Sequence, residues 1–273
     1  MMGPYKLLDW IDPAKLHWDY LCSNPRAIFM LEQSPEKINY LWLSSNPEAM
    51  HLLEKNIKKV TWPVLSLNPK AMPLLLQNPI LISWSSLNRN PGAISILEAN
   101  PDKICWWMLS LNSGALSILE KNQDKINWKS LSSNPGAIDL ITKNLDKIDW
   151  DALSSNPSAI NLLESHPHKI NWEMLSANSA ALHLLESNQD KICWYMLSLN
   201  PGALDLLEKN QDKIHWRMLS ENSAIFEIDY TSLKARIQPL VEELMQTCYH
   251  PDRFKKYLLE YHYDLADEQY YQI

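Results

Sequence analysis

An aromatic residue returns every 22 positions along most of this chain without a single insertion: Trp18, Tyr40, Trp62, Trp84, Trp106, Trp128, Trp150, Trp172, Trp194 and Trp216. A leucine column follows three residues on (Leu21 to Leu219) and an asparagine column three further (Asn24 to Asn222). An alanine column then runs from Ala27 through Ala115 to Ala203. The unit reads approximately K-I-x-W-x-x-L-S-x-N-P-x-A-I-x-L-L-E-x-N-x-D. With its lysine as position 1, nine complete copies and a truncated tenth cover residues 15 to about 226. A fixed period of this length signals stacked supersecondary units, none of which can bury its apolar face alone.

Each unit carries two helix signals. Position 3 is often a residue that caps a helix start (Asn127, Asp149, Ser83), and W-x-x-L then puts Trp and Leu on one face of about two turns. The asparagine at position 10 ends that helix and caps the next, with Pro at the first helical position, as in Pro25, Pro47 and Pro157. In the second helix A-I-x-L-L gives an apolar face, and Asn56, Asn122 and Asn210 at its far end suit a left-handed terminator. A leucine-rich-repeat horseshoe would need an apolar residue two before the leucine, where Asp19, Ser85, Lys129, Asp151, Glu173 and Arg217 stand instead. The expected fold is therefore all-α: an α-solenoid of ten 22-residue two-helix repeats with N- and C-terminal helical caps. At roughly 8–10 Å between packed helices it would form a rod or arc on the order of 80–100 Å long. Residues 1–14 would cap one end and 227–273 the other, each covering an open repeat face. Within the latter, Leu233 to Met245 reads as a helix kinked or broken at Pro239. A second helix starts near Pro251, followed by an acidic, tyrosine-rich tail from Tyr261 to Ile273.

The 46% apolar content suffices for a real core, and a net charge of −7 opposes broad electrostatic binding to nucleic acid or anionic membrane. No signal peptide, no apolar run of membrane-spanning length and no unblocked Asn-x-Ser/Thr acceptor is visible, which points to an intracellular, non-secreted protein with reduced thiols. Cys105 and Cys193 share a column four units apart, too far to pair. His166 and His168 form the only close histidine pair, with no third ligand spaced to complete a metal site. No catalytic motif occurs. A non-enzymatic protein without cofactor or metal is the expectation.

Period-locked aromatics are what stacked repeats bury. Trp62, Trp84, Trp106, Trp128, Trp150, Trp172, Trp194 and Trp216 read as a structural ladder. Asn46, Asn68, Asn90, Asn112, Asn134, Asn156, Asn178 and Asn200 read the same way, their amides satisfying backbone at the turn between helices. Lysines at position 1 (Lys37, Lys125, Lys191) and glutamates at position 18 (Glu54, Glu120, Glu208) suggest charge rows along one edge. Function is sought where units differ. Positions 5, 6 and 9 carry Trp42, Trp107, Met108, Leu111, Tyr195, Met196, Leu199 and Arg217, with charged or small residues between them. Aromatic, methionine and arginine anchors of this kind mark a protein-binding face. The expected function is a scaffold binding a protein along a repeat face. Modular RNA or single-stranded DNA binding, disfavoured by charge, and homo-oligomeric self-assembly stand as alternatives. Repeats 5 and 9 share Lys-Ile-Cys-Trp and Met-Leu-Ser-Leu-Asn, as a duplicated block of units would.

The unit as it stands in Lys147–His168, KIDWDALSSNPSAINLLESHPH, resembles the short tandem repeats of proteins encoded by giant nucleocytoplasmic DNA viruses. The segment Tyr249-His250-Pro251-Asp252-Arg253-Phe254-Lys255-Lys256-Tyr257-Leu258 is similar to the H-P-x-R-x-x-x-Y-L tail of many such proteins. Together these span nearly the whole chain. The resemblance implies location in the infected host cell or in the virion, and a binding role toward a host or viral protein. The alternation of short and longer helices is similar to leucine-rich-variant and HEAT-like solenoids.

Overall fold

The computed structural model describes residues 5–248 and 251–260. They divide into two compact units, the first spanning Tyr5–Glu227 and the second beginning at Ile228. Apart from two three-residue strands, β1 (Tyr5–Leu7) and β2 (Phe226–Ile228), the described regular structure is helical, and the repeat region is an all-α stack of two-helix units.

One repeat shows the local logic. Asp149 sits in extended backbone and its carboxylate accepts the Ala152 N–H at 2.8 Å, opening the first helix, Trp150–Ser154. Asn156 stops that helix, again extended, and its Oδ1 accepts the Ser158 N–H at 2.9 Å. Pro157–Ala159 forms a 3-10 turn that runs into the second helix, Ile160–Ser165. A second 3-10 turn, Pro167–Lys169, leads to the next unit. Helices this short are unstable alone, so packing must supply what propagation cannot. The leucines at positions 7 and 17 and the alanine at 13 supply it: Leu153, Ala159 and Leu163 are fully buried, as are their counterparts in neighbouring units.

The local expectations need two corrections. Ser83 does not cap its helix; its hydroxyl lies against those of Ser85 and Ser86. The asparagines closing the second helices are not left-handed, since φ is −125° at Asn56, −133° at Asn122 and −132° at Asn210. Each instead donates its amide to the carbonyl four residues back, Leu52, Ile118 and Leu206, at 2.9 Å. The side chain satisfies the orphan carbonyl, so the backbone has no need of the left-handed region.

The larger correction concerns the ends. In the body of the stack, each position-10 amide donates to two carbonyls of the preceding unit: Asn134 Nδ2 bonds the Ser110 and Asn112 oxygens at 3.0 and 3.1 Å. Asn24, in the first unit, makes the same pair of bonds to Ser220 and Asn222 of the last, at 3.0 and 3.1 Å. The first helix of the first unit, Trp18–Ser23, packs on that of the last, Trp216–Glu221, as it does on its sequence neighbour, Tyr40–Leu43. The ten units therefore close into a ring, not a rod or arc, and neither end presents an open face. Residues 5–14, the described part of the expected N-terminal cap, do not form a helical cap either. β1 pairs with β2, and the Leu8 N–H donates to the Ile225 carbonyl at 3.0 Å. Arg26 donates to the carbonyls of Phe226 (2.9 Å) and Ser223 (3.4 Å), and Lys6 pairs with Glu227 at 2.9 Å. The N-terminal segment is a clasp across the seam.

In the second unit, Tyr230–Cys248 is one helix that runs through Pro239, where a kink or break is expected from sequence. Proline removes the donor to the Ala235 carbonyl, which lies on an exposed part of the helix where water can replace it. Pro251–Glu260 is a separate helix, as anticipated. The acidic tail from Tyr261 lies outside the described residues, as do Tyr249 and His250 of the C-terminal motif.

Closure makes a specific energetic demand. In an open stack Asn24 would face no preceding unit, and Asn24→Ala would cost only the bond from the Arg26 N–H, about 1 kcal/mol. In the ring it strands two buried carbonyls and an N–H, as Asn134→Ala does. Both substitutions are expected to cost about 2–4 kcal/mol, read from urea-unfolding midpoints at constant m-value.

Candidate binding surface

The first helices touch one another more closely around the ring than the longer second helices do, so they form its inner wall. At roughly 8–10 Å between neighbours, ten units enclose a circumference of about 80–100 Å, and helix thickness leaves an opening about 15–20 Å across. Position 5 is the exposed site of the first helices, open to solvent in every repeat but the first.

A second ladder, unanticipated from sequence, holds this wall. The position-8 hydroxyl donates to the carbonyl of its own tryptophan and accepts the position-3 N–H of the next unit. Ser132 does so with Trp128 (2.7 Å) and Asp149 (2.9 Å). The ring closes here too, with the His17 N–H bonded to Ser220 Oγ at 2.8 Å. Asn88 takes both roles in the fourth unit, and Cys22 accepts the Asn39 N–H in the first. The signal was the serine of L-S-x-N, which looks like an ordinary polar surface residue until its burial is known.

The tryptophan rings pack against the core but are only half-buried. Over seven of the ten rings stands the position-1 lysine of the following unit, with Nζ 4.2 Å from the Trp18 centroid for Lys37 and 4.7 Å from that of Trp216 for Lys15. The lysine row is thus a set of cation–π latches between units. Among the described residues no ion pair joins the lysine row to the position-18 glutamates. Two of those glutamates, Glu32 and Glu164, instead meet His51 and His183 at 2.8 and 2.7 Å.

The anchor residues fall into three places. Trp107, half exposed at 50%, stands beside the partly buried Met108 and Leu111 in the fifth unit. Tyr195, at 47%, stands beside Met196 and Leu199 in the ninth, with its ring edge-on to His215 at 4.7 Å. Closure brings the third group together. Arg217 lies 4.6 Å from the Tyr20 ring, which stacks on Trp42 at 4.9 Å, forming a continuous stack from the last unit through the first to the second. Arg217, itself exposed, thus reaches across the seam to Tyr20, and the partly buried Trp42 continues the stack into the next repeat. Sequence reasoning passed over Leu41, exposed at position 5 of the second unit, which with Pro63 extends an apolar arc. Lys129, Asp151 and Glu173 make units six to eight the polar side of the opening.

Cys22 is buried, and loss of hydration pushes its thiol up from the ordinary value despite the Asn39 N–H it accepts. Cys22, Cys105 and Cys193 are free thiols. The His166 ring lies tilted over Trp150 at 4.8 Å, taking the place a lysine has elsewhere. Among the described residues no group of three metal-ligating side chains occurs, no buried side-chain N or O lacks a partner, and no helix is long and apolar enough to cross a membrane. Comparison with protein-family models, curated proteins and solved structures finds no match for this chain.

Cys105 and Cys193, only partly buried, are expected to alkylate in the native protein, whereas Cys22, fully buried, is expected to react only once urea opens the ring, as site-resolved mass spectrometry would read.

Proposed function

We propose that the ring is a non-enzymatic protein-interaction module whose opening receives a segment of a partner polypeptide, with Trp107 and Tyr195 as the principal anchors. The observation that carries this reading is the half-exposed pair of aromatics, each flanked by methionine and leucine, on the inner helices of two units four apart. Burial of such rings at the centre of an interface supplies a large part of binding energy at little entropic cost. The methionines adapt to differing partners. A helix about 10–12 Å in diameter, or an extended strand, fits an opening of about 15–20 Å, whereas a folded domain does not. The partner is accordingly an apolar helical or extended segment of a host or viral protein, as the resemblance to giant-virus repeat proteins implies. Intracellular residence belongs to the same proposal. The lysine row does not favour nucleic acid: its ammonium groups lie over tryptophan rings, and acids such as Asp124, Asp146 and Asp190 directly precede lysines in the chain.

Panning a random-peptide display library on the purified ring tests the reading. Aromatic- and aliphatic-rich peptides should be selected, and Trp107→Ala with Tyr195→Ala should weaken their binding by about 2–4 kcal/mol. Stability should change by no more than about 0.5 kcal/mol, because both side chains are half exposed. Binding that survives the double substitution, or failure to select any peptide, removes the proposal.

A further inference from the structure

Three exposed columns of the repeat change character together at one place. Position 18 is usually glutamate, position 22 most often acidic and position 1 lysine, as in Glu98, Asp102 and Lys103. Between the third and fourth units the same positions hold Leu76, Ile80 and Leu81, exposed at 59%, 95% and 44%. Leu76 lies in the second helix of its unit, Met72–Gln77, and the other two on the 3-10 turn that follows, Pro79–Leu81. One repeat earlier Ile57, also exposed, opens the corresponding turn, Ile57–Lys59. The buried ladder runs on unaltered here, with the Asn90 amide on the Ser66 and Asn68 carbonyls at 3.1 and 2.9 Å. The aliphatic side chains therefore serve nothing inside the ring, and a cluster of this kind on a surface marks an interaction site.

The charges beside the cluster select what it takes. From Lys55 to Leu97 the chain carries Lys55, Lys58, Lys59, Lys70 and Arg89 and no acid, in a protein of net charge −7. Lys59 is committed to the Tyr40 ring at 4.9 Å and Lys70 to Glu48 at 2.7 Å. On the far side, Asp102 is compensated by Lys103 at 2.9 Å. Glu54 and Glu98 belong to the position-18 row, at the helix edge of the cluster rather than on its turns. Lys58, which stands where most units have an acid, and Lys55 have no ion-pair partner among the described residues. Along the turns the uncompensated charge beside Ile80 is thus positive.

We infer that this cluster is a second docking site, whose occupant is a segment of another protein that sets aliphatic side chains beside carboxylates. The aliphatic groups cover Leu76, Ile80 and Leu81, and the carboxylates meet Lys55 and Lys58. A basic segment is repelled by the same lysines, and the acidic balance of the remaining chain works against an anionic lipid surface. The site is independent of the ring opening and its anchors.

Random-peptide display on the full chain provides the test, with counter-selection on a chain carrying Leu76→Glu, Ile80→Asp and Leu81→Lys. Those substitutions install what the next unit carries at the same positions, so the urea midpoint should not fall. The triple variant keeps the opening intact, and counter-selection therefore removes peptides that bind there. The peptides that remain should combine Leu or Ile with Asp or Glu and bind the triple variant at least about tenfold less tightly. Lys55→Glu with Lys58→Asp should also weaken them about tenfold, an effect that added salt diminishes in the parent chain. No peptide surviving counter-selection, survivors that are basic, or survivors indifferent to the lysine substitutions would each overturn the inference. Binding of phosphatidylserine vesicles that the triple variant abolishes would overturn it too, by making lipid the occupant.

Discussion

A carboxamide that makes three hydrogen bonds holds this protein in its shape. At position 10 of each unit the asparagine oxygen starts the next helical turn of its own repeat while the nitrogen ties down two carbonyls of the repeat before. Both functions are local, identical in every unit and fully buried, so the geometry from one unit to the next is held nearly constant. A constant rotation applied ten times must either spiral or close. Here it closes, at about 36° per unit, and the Asn24 amide finds Ser220 and Asn222 where every other member finds its sequence neighbour. The serine ladder and the lysine–tryptophan latches follow the same circle and repeat its seam.

Closure changes what the ends must do. An open solenoid spends residues on covering its terminal faces; this ring needs only a fastening. β1 and β2, the Arg26 bonds to two carbonyls and the Lys6–Glu227 pair provide it at the surface, outside the buried ladders. The Arg217–Tyr20–Trp42 stack adds a fastening on the inner wall. Residues that look like separate binding spots along a rod become, once the ring is shut, one piece of joinery. What remains open on the wall is the pair of larger sites at units five and nine.

That redistribution shapes the functional reading. On a straight stack, anchors four units apart would address a long, flat partner. In the proposed reading the anchors on a ring share one space, and a partner that touches both enters the opening. Position 5 is charged in units six to eight (Lys129, Asp151, Glu173) and apolar in units two, three and five (Leu41, Pro63, Trp107), with Ser85 between them, so that the proposed space has chemically different sides.

Much of the architecture is legible in the residues themselves. The 22-residue period, the two helices per unit, and the buried roles of Leu153, Ala159 and Asn156 all follow from spacing and side-chain chemistry, because they are set within one unit and its nearest neighbour. The helix ends were less legible: Asn56 can stop a helix by turning left-handed or by donating back to Leu52, and only the folded structure distinguishes these. The role of the serine column depended on burial, which a polar side chain does not announce. Closure lay furthest out of reach. Whether Asn24 meets Ser220 depends on a rotation per unit accumulated over the whole circle, and a small difference at each interface would leave the ends apart. The sequence by itself determined the unit and its stacking contacts; the tertiary structure alone decided that the stack bites its own tail, because curvature is a sum over all units and is written in none of them.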